Sequence, residues 1–359
     1  MNRLAGALQV ARALLRLPVV VLLLTYAACG LAAAGDVSVP GFLRAAAVVV
    51  PFVTCSALVN DLGDERIDRI NLSGTSEGAN RLLLQGKSHR RAMVALAVAA
   101  GVGDLGAAYG LGGEARRTVL VVAATGLAVM LGYCVRPVRL ADRGVVASLA
   151  LPACYVATPF VVGLLLGRGA VRASDLGLLA ALYIGFVARI VLKDLRDVRG
   201  DAMFGKRTFI VRHGRAATCL FSAVAWVAGS GLLIATTPHP TGVHRIQIVV
   251  TAIIAVALLR QLASDRGPQR DERLVSAIAI VGRAVLLGLL IMLSAGPAGV
   301  SAPVAAGLLL TCSGLLLWQA RIILAHGPAP RRAVESASAA LALTANTDGI
   351  RDSGDGARR

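Results

Sequence analysis

A chain of 359 residues that is 56% hydrophobic and only 16% charged, with a mean hydropathy of +0.72, carries more apolar surface than a soluble domain, where apolar residues make up about 45–50%. The net charge of +17 would suit a nucleic-acid binder, but the basic residues fall between apolar runs, which argues against that partner and for a bilayer. The six cysteines, Cys29, Cys55, Cys134, Cys154, Cys219 and Cys312, lie in or beside those runs without a C-x-x-C pair and read as small packing residues, not as metal ligands or disulfides.

In chain order, residues 3–16 read either as a short amphipathic helix on the membrane surface or as a plain basic flank. Ten apolar runs then follow, over 13–34, 42–59, 91–110, 118–135, 145–166, 174–193, 216–236, 246–263, 274–296 and 302–323, each long enough to span a bilayer. The first is too long for the apolar stretch of a cleavable signal. Aromatic residues are only 4%; the runs are mostly Ala, Val, Leu and Gly, which let membrane helices approach closely. After Gly327 the chain turns to Ala, Ser, Gly and charge with no apolar period, which predicts disorder. The expected organisation is an all-α membrane domain over 1–326, a bundle of nine to ten transmembrane helices, and a disordered tail over 327–359.

Loop charge gives an independent test of these spans. With the loops taken alternately, one side collects 30 of the 37 Lys and Arg residues. The other side holds Arg44, Arg116, Arg117, Arg168, Arg172 and Arg245, and Arg283 is left inside the ninth run. The excess predicts that both termini and the two long loops, 60–91 and 189–215, face the cytoplasm, with the cell membrane as the location.

Those two loops carry the chemistry. The second run leads into Asn60-Asp61-Leu62-Gly63-Asp64-Glu65-Arg66-Ile67-Asp68, and the sixth into Asp194-Leu195-Arg196-Asp197-Val198-Arg199-Gly200-Asp201. Both read D-x-x-D-x-x-x-D, and the offset between them is 133 residues throughout. Spacing i, i+3, i+7 sets three carboxylates on one helical face, where they repel unless a cation joins them. Oxygen ligands without a nearby His or Cys favour Mg²⁺ over Zn²⁺. Basic residues surround both motifs: Arg66, Arg69, Arg81, Lys87, Arg90 and Arg91 near the first, and Lys193, Arg196, Arg199, Lys206, Arg207 and Arg212 near the second. Acid for metal and base for phosphate at one membrane face fit a site that ionises a diphosphate. A single acidic loop is more often merely solvated; two in matched positions make that reading weak.

At these residues the sequence resembles the UbiA superfamily of intramembrane prenyltransferases. The N-D-x-x-D-x-x-x-D motif is filled by Asn60, Asp61, Asp64 and Asp68, and the second motif by Asp194, Asp197 and Asp201, followed by Gly205-Lys206-Arg207-Thr208, which matches the family's G-x-x-T. Asn80-Arg81-Leu82-Leu83-Leu84-Gln85-Gly86 resembles the family's N-R-P-x-x-x-G, with Leu82 where proline is usual. Tyr133-Cys134-Val135-Arg136-Pro137-Val138-Arg139-Leu140 resembles its Y-S-x-x-P-x-R-L loop, and Leu15-Arg16-Leu17-Pro18 the start of its first helix. The family core has nine spans, so the tenth run reads either as a peripheral addition or as a misassigned late run.

The resemblance implies a bundle around a central cavity with the motif pair at its mouth. It also implies a Mg²⁺-bound prenyl diphosphate with its tail in an apolar chamber, and a lipophilic or aromatic acceptor, often a quinone precursor, that takes the prenyl group. The metal candidates are Asn60, Asp61, Asp64, Asp68, Asp194, Asp197 and Asp201; the diphosphate candidates are Arg81, Lys193, Lys206 and Arg207. Tyr133 either orients an aspartate or the substrate, or anchors the helix at the interface. Arg283 reads as facing a polar acceptor or as a snorkelling residue. Two alternatives remain: a terpene cyclase of the same family, which needs no acceptor, and a transporter, whose coupling carboxylates would be expected near mid-membrane.

Overall fold

A computed structural model of the chain describes residues 16–71, 90–195, 198–203, 205–238 and 240–328, without the side chains of 66–71, 199, 200 and 202. The expected tail, most of the basic N-terminal segment, and Arg81 and Lys87 lie outside the described residues. The spans appear as helices α1 (Leu17–Ala33), α2 (Val39–Asn71), α3 (Arg90–Leu111), α4 (Arg116–Cys134), α5 (Val145–Arg168), α6 (Ala173–Ile190), a short α7 (Val198–Met203), α8 (Phe209–Thr236), α9 (Gly242–Leu262), α10 (Pro268–Ala295) and α11 (Ala302–His326). Nine of the described helical stretches are long and apolar enough to cross a membrane; α1, at 17 residues, is shorter. The ten runs are thus all helices, within a few residues except where the chain continues beyond the apolar stretch. The largest extension is α2, which runs on to Asn71.

Neighbours in sequence pack as neighbours in space from α1 to α4; α5 adds contacts to α1 and α4, α6 packs on α8, and α9 and α10 follow in turn. Contact between α10 and α1 closes the ring. The tenth run, α11, packs on α10 and touches α9, outside the ring, which favours the reading as a peripheral addition. Outward faces carry exposed apolar side chains, among them Val98 and Val102 on α3, Leu220, Val224 and Val227 on α8, Ile246 and Ile253 on α9, and Leu308, Leu315 and Trp318 on α11. Lipid satisfies such faces, since hydrocarbon is as apolar as leucine.

Where helices meet, small residues allow backbone to approach backbone. A Cβ added at Gly30 of α1 would lie 2.1 Å from the Phe160 carbonyl oxygen of α5, and one at Gly163 of α5 would lie 2.2 Å from the Ala27 oxygen of α1. Neither position admits a side chain without parting the helices. Within α5 the turn Ala153–Ala157 is a π-helix. Pro159 follows it and has no N–H for the carbonyl one turn back, so the ladder widens instead of breaking.

Candidate active site

The first motif rides on the unbroken α2, as its spacing predicts. Each described acid in it meets a base from a different segment. Asp61 pairs with Arg16 at the start of α1. Asp64 lies 2.6 Å from Nη2 of Arg139. Glu65 lies 2.8 Å from Arg90 at the start of α3. Asn60 accepts a long contact from the Cys134 thiol at 3.8 Å. The helix includes position 68, but the Asp68 side chain lies outside the described residues.

Arg139 ties this end of the bundle together. It sits in the loop after α4, only 9% exposed. Its Nη1 donates to the Gly63 carbonyl at 2.9 Å, and its Nε lies 2.8 Å from Asp142. Burial works against its charge, but the bonds and charges of Asp142 and Asp64 outweigh burial and raise its pKa. Gly63 is needed between the motif carboxylates because a Cβ there would stand 2.9 Å from the Cys134 carbonyl oxygen; the end of α4 rests directly on the motif.

The second motif departs from expectation. One helical face was predicted for all three aspartates, but α6 ends at Ile190, a turn follows, and Lys193–Leu195 forms a single 3₁₀ turn before α7. A continuous helix would stack Asp194, Asp197 and Asp201 as like charges one and two turns apart, with Gly200 among them, and both features weaken a helix. The break gives Asp194 and Asp201 separate elements with separate lysines. Asp194 lies 3.0 Å from Lys193. Asp201 is 1% exposed and lies 3.4 Å from Lys206 Nζ, while the Lys206 backbone N–H donates to the Asp201 carbonyl at 2.8 Å. Asp197 lies outside the described residues, and Arg207 is exposed.

The two motifs meet. α7, which carries Asp201, packs against α2. Tyr133 is buried on the last turn of α4, directly before the Cys134 on which Gly63 rests. Arg16 and Arg139 were legible only as parts of motifs and were not assigned to the site; their pairing with Asp61 and Asp64 bridges 45 and 75 residues of chain.

Among the described residues no three His, Cys, Asp or Glu side chains converge into a cage that could hold a metal alone. The described aspartates of the motifs offer carboxylate oxygens, each already beside a cation. That set does not fit a closed zinc site. It does fit magnesium, which takes one or two carboxylates and completes its shell with water and substrate phosphate oxygens.

Comparison with known proteins agrees with this arrangement. Residues 21–281 match the UbiA prenyltransferase family. The bacteriochlorophyll synthase 34 kDa chain of Chloroflexus aurantiacus is 28% identical over 232 residues, covering 63% of this chain and 69% of that one. The digeranylgeranylglyceryl phosphate synthase of Methanoculleus marisnigri is 31% identical over 199 residues, 54% of this chain and 63% of that one. A UbiA homologue from Archaeoglobus fulgidus, solved with GPP and Mg²⁺, superposes with a TM-score of 0.57 at 15% identity, over 79% of this chain and 99% of that one; at that identity the likeness speaks to the fold. Helices, motif pair and family match coincide on the same stretch of sequence: the chain belongs to the UbiA prenyltransferase family.

Proposed function

We propose that the chain transfers a prenyl group from an isoprenoid diphosphate to a lipophilic or aromatic acceptor, with the diphosphate held between the two acidic motifs. The observation that carries this reading is the packing of α7, which bears Asp201, against α2, which bears Asp61 and Asp64. Asn60, Asp61, Asp64 and Asp68 of the first motif and Asp194, Asp197 and Asp201 of the second are the proposed magnesium ligands. When bound, magnesium neutralises the charge that develops on the departing diphosphate. Lys193, Lys206, Arg207 and Arg81 are the proposed phosphate cations, preorganised donors for the same charge. Arg139 and Arg16 hold Asp64 and Asp61 in place and keep the cluster of like charges together. The apolar helix walls exclude water, which would otherwise capture the allylic cation. The archaeal homologue bound to GPP and Mg²⁺ supports the choice of substrate and metal.

The purified protein in phosphatidylcholine nanodiscs, given labelled geranylgeranyl diphosphate, is expected to release diphosphate with Mg²⁺ and to stop in EDTA. Undiminished release in EDTA would remove magnesium from the mechanism. A prenylated product formed only when acceptor is added separates transfer from cyclisation.

The charge asymmetry of the loops supports cytoplasmic placement of both motifs and both termini, in the cell membrane. Five of the six native cysteines are buried, so background labelling in whole cells is expected to be low. A cysteine at Ser264, between α9 and α10, is expected to resist an impermeant thiol reagent, and one at Ala170, between α5 and α6, to react. The reverse pattern would invert the orientation.

A further inference from the structure

Arg283 reads in the sequence as a charge in the middle of a span, and the structure places it on the outward flank of the bundle. Its neighbour Gly282 faces inward: a Cβ there would fall 2.6 Å from Nη1 of Arg189, which donates to the Tyr26 hydroxyl at 2.6 Å. Gly282, Val285 and Leu286 of α10 line the cleft around Arg189, and Arg283 does not. Arg283 is exposed instead, and among the described residues it has no acidic partner.

Depth makes that exposure costly. Arg273 is the nearest charged residue before it, ten residues away, and α10 ends at Ala295, twelve residues after; these are about 15 and 18 Å along the helix axis. A hydrocarbon core is about 30 Å thick, so the residue sits near the bilayer midplane. Either interface is farther away than an arginine side chain reaches by snorkelling.

Arg283 belongs to an uncovered stripe. Ser276, Ala279, Leu287, Leu290 and Ser294 recur with it every three or four residues, each partly exposed, so one face of α10 is open along the whole span. Toward the loop between α10 and α11 the stripe deepens into a groove of about 460 Å³, lined by Leu290, Ile291 and Ser294 of α10 and by Ala305 and Leu308 of α11.

We propose that this stripe docks a transmembrane helix of another protein, one that carries an aspartate or glutamate at the bilayer midplane. Other occupants of a membrane flank fail on depth or on charge. A phospholipid or a fatty acid keeps its acidic group at the interface, about 15 Å from the midplane. A second copy of this chain, in a two-fold contact, would bring Arg283 against its own twin, and like charges repel strongly in a medium of low dielectric. Nor does a copy offer an acid from another face: among the described residues, the one acid deep within a span is Asp104 of α3, and it is 1% exposed. A segment that satisfies its own backbone in hydrocarbon is a helix. A carboxylate on that helix neutralises Arg283, Ser276 and Ala279 allow close approach, and the groove receives a bulky apolar side chain.

The test uses a designed span in phosphatidylcholine bilayers: a dansyl-labelled leucine–alanine helix with lysines at both ends and aspartate at its centre. Trp226→Phe leaves Trp318, 61% exposed on α11, as the sole tryptophan, and energy transfer from it reports docking. The aspartate helix is expected to reach half-maximal transfer at about one tenth the peptide density of the same helix with leucine there, the scale of an interhelical polar contact. Arg283→Gln should abolish the preference and Arg283→Lys should keep part of it. Moving the aspartate two turns toward either end should also abolish it, a control that needs no arginine variant to fold. Equal transfer from the aspartate and leucine helices, or a preference indifferent to depth, overturns the proposal.

A second arm identifies the occupant. A benzophenone side chain placed at position 290 is photolysed in the membranes of the protein's own cell. The expected adduct joins another protein through a span with an acid at mid-depth, and it should fade in Arg283→Gln. An adduct with a span lacking such an acid, with lipid alone or with a second copy of this chain overturns the proposal.

Discussion

Asp64→Asn is expected to lower turnover by about a hundredfold or more, equivalent to about 2.7 kcal/mol of transition-state stabilisation. The change keeps size and removes one charge. The fold should barely notice, because Arg139 keeps Asp142 at 2.8 Å and the Gly63 carbonyl at 2.9 Å. Asp194→Asn, which removes the facing charge of the second motif, should cost a similar factor. The double variant should be little worse than the worse single one, because groups gripping one ligand act as a unit. Multiplicative losses would mean that the motifs act independently. Failure of both variants to accumulate, with full specific activity in what remains, would make the aspartates structural.

Arg139→Gln is expected to harm both fold and activity. It leaves Asp64 and Asp142 without their shared guanidinium and strips the Gly63 carbonyl of a donor. The Arg139 side chain is 10% exposed and that of Asp64 17%. Breaking such a largely buried pair from one side costs about 3–5 kcal/mol, enough to lower the melting temperature in detergent by many degrees. Arg139→Lys should recover only part, since an ammonium cannot reproduce the fork that reaches Asp64, Gly63 and Asp142 together. The informative combination is Arg139→Gln with Asp64→Asn. Melting temperature should rise relative to Arg139→Gln alone, because the uncompensated charge is gone, while turnover stays at the level of Asp64→Asn. A melting temperature for Arg139→Gln equal to that of the unaltered protein would show that the loop after α4 does not depend on this residue.

What the sequence discloses and what it hides divide along a physical line. The helices are legible because a bilayer imposes length and hydropathy locally, and the loop charges confirm the count independently. The motifs are legible because their spacing repeats. Partners are not. Nothing within a few residues of Asp61 points to Arg16, or of Asp64 to Arg139, and the Arg189–Tyr26 bond spans 163 residues. The periodicity argument held for α2 and failed for α6, although the two motifs have the same letters. The first is held straight by arginines arriving from other segments; the second relaxes its repulsion by breaking. Arg283 stood out in the sequence as a mid-span charge, whereas Arg189 was assigned to a loop and lies in α6, one residue before its end.

The contact between α1 and α5 has a consequence for the site some distance away. Gly30 meets Phe160, and Gly163 meets Ala27; each residue of one contact is 133 positions from its counterpart in the other, the same offset that relates the motifs. The chain therefore touches itself as a symmetric dimer would, residue i to j and j to i, about an approximate two-fold axis. The partners α1 and α5 are an even number of spans apart, so they cross the bilayer in the same sense, and the axis runs along the membrane normal, as in parallel-repeat transporters. Helices α2 and α6, which follow them, then descend on opposite sides of the axis and bring their acidic ends to the same depth. A ligand taking both ends at once must lie across the axis. The symmetry stops at Ile190, where α6 breaks and α2 does not. A prenyl diphosphate carries its chain at one end only, and two identical jaws would hold it equally well in either direction; the break makes the jaws different.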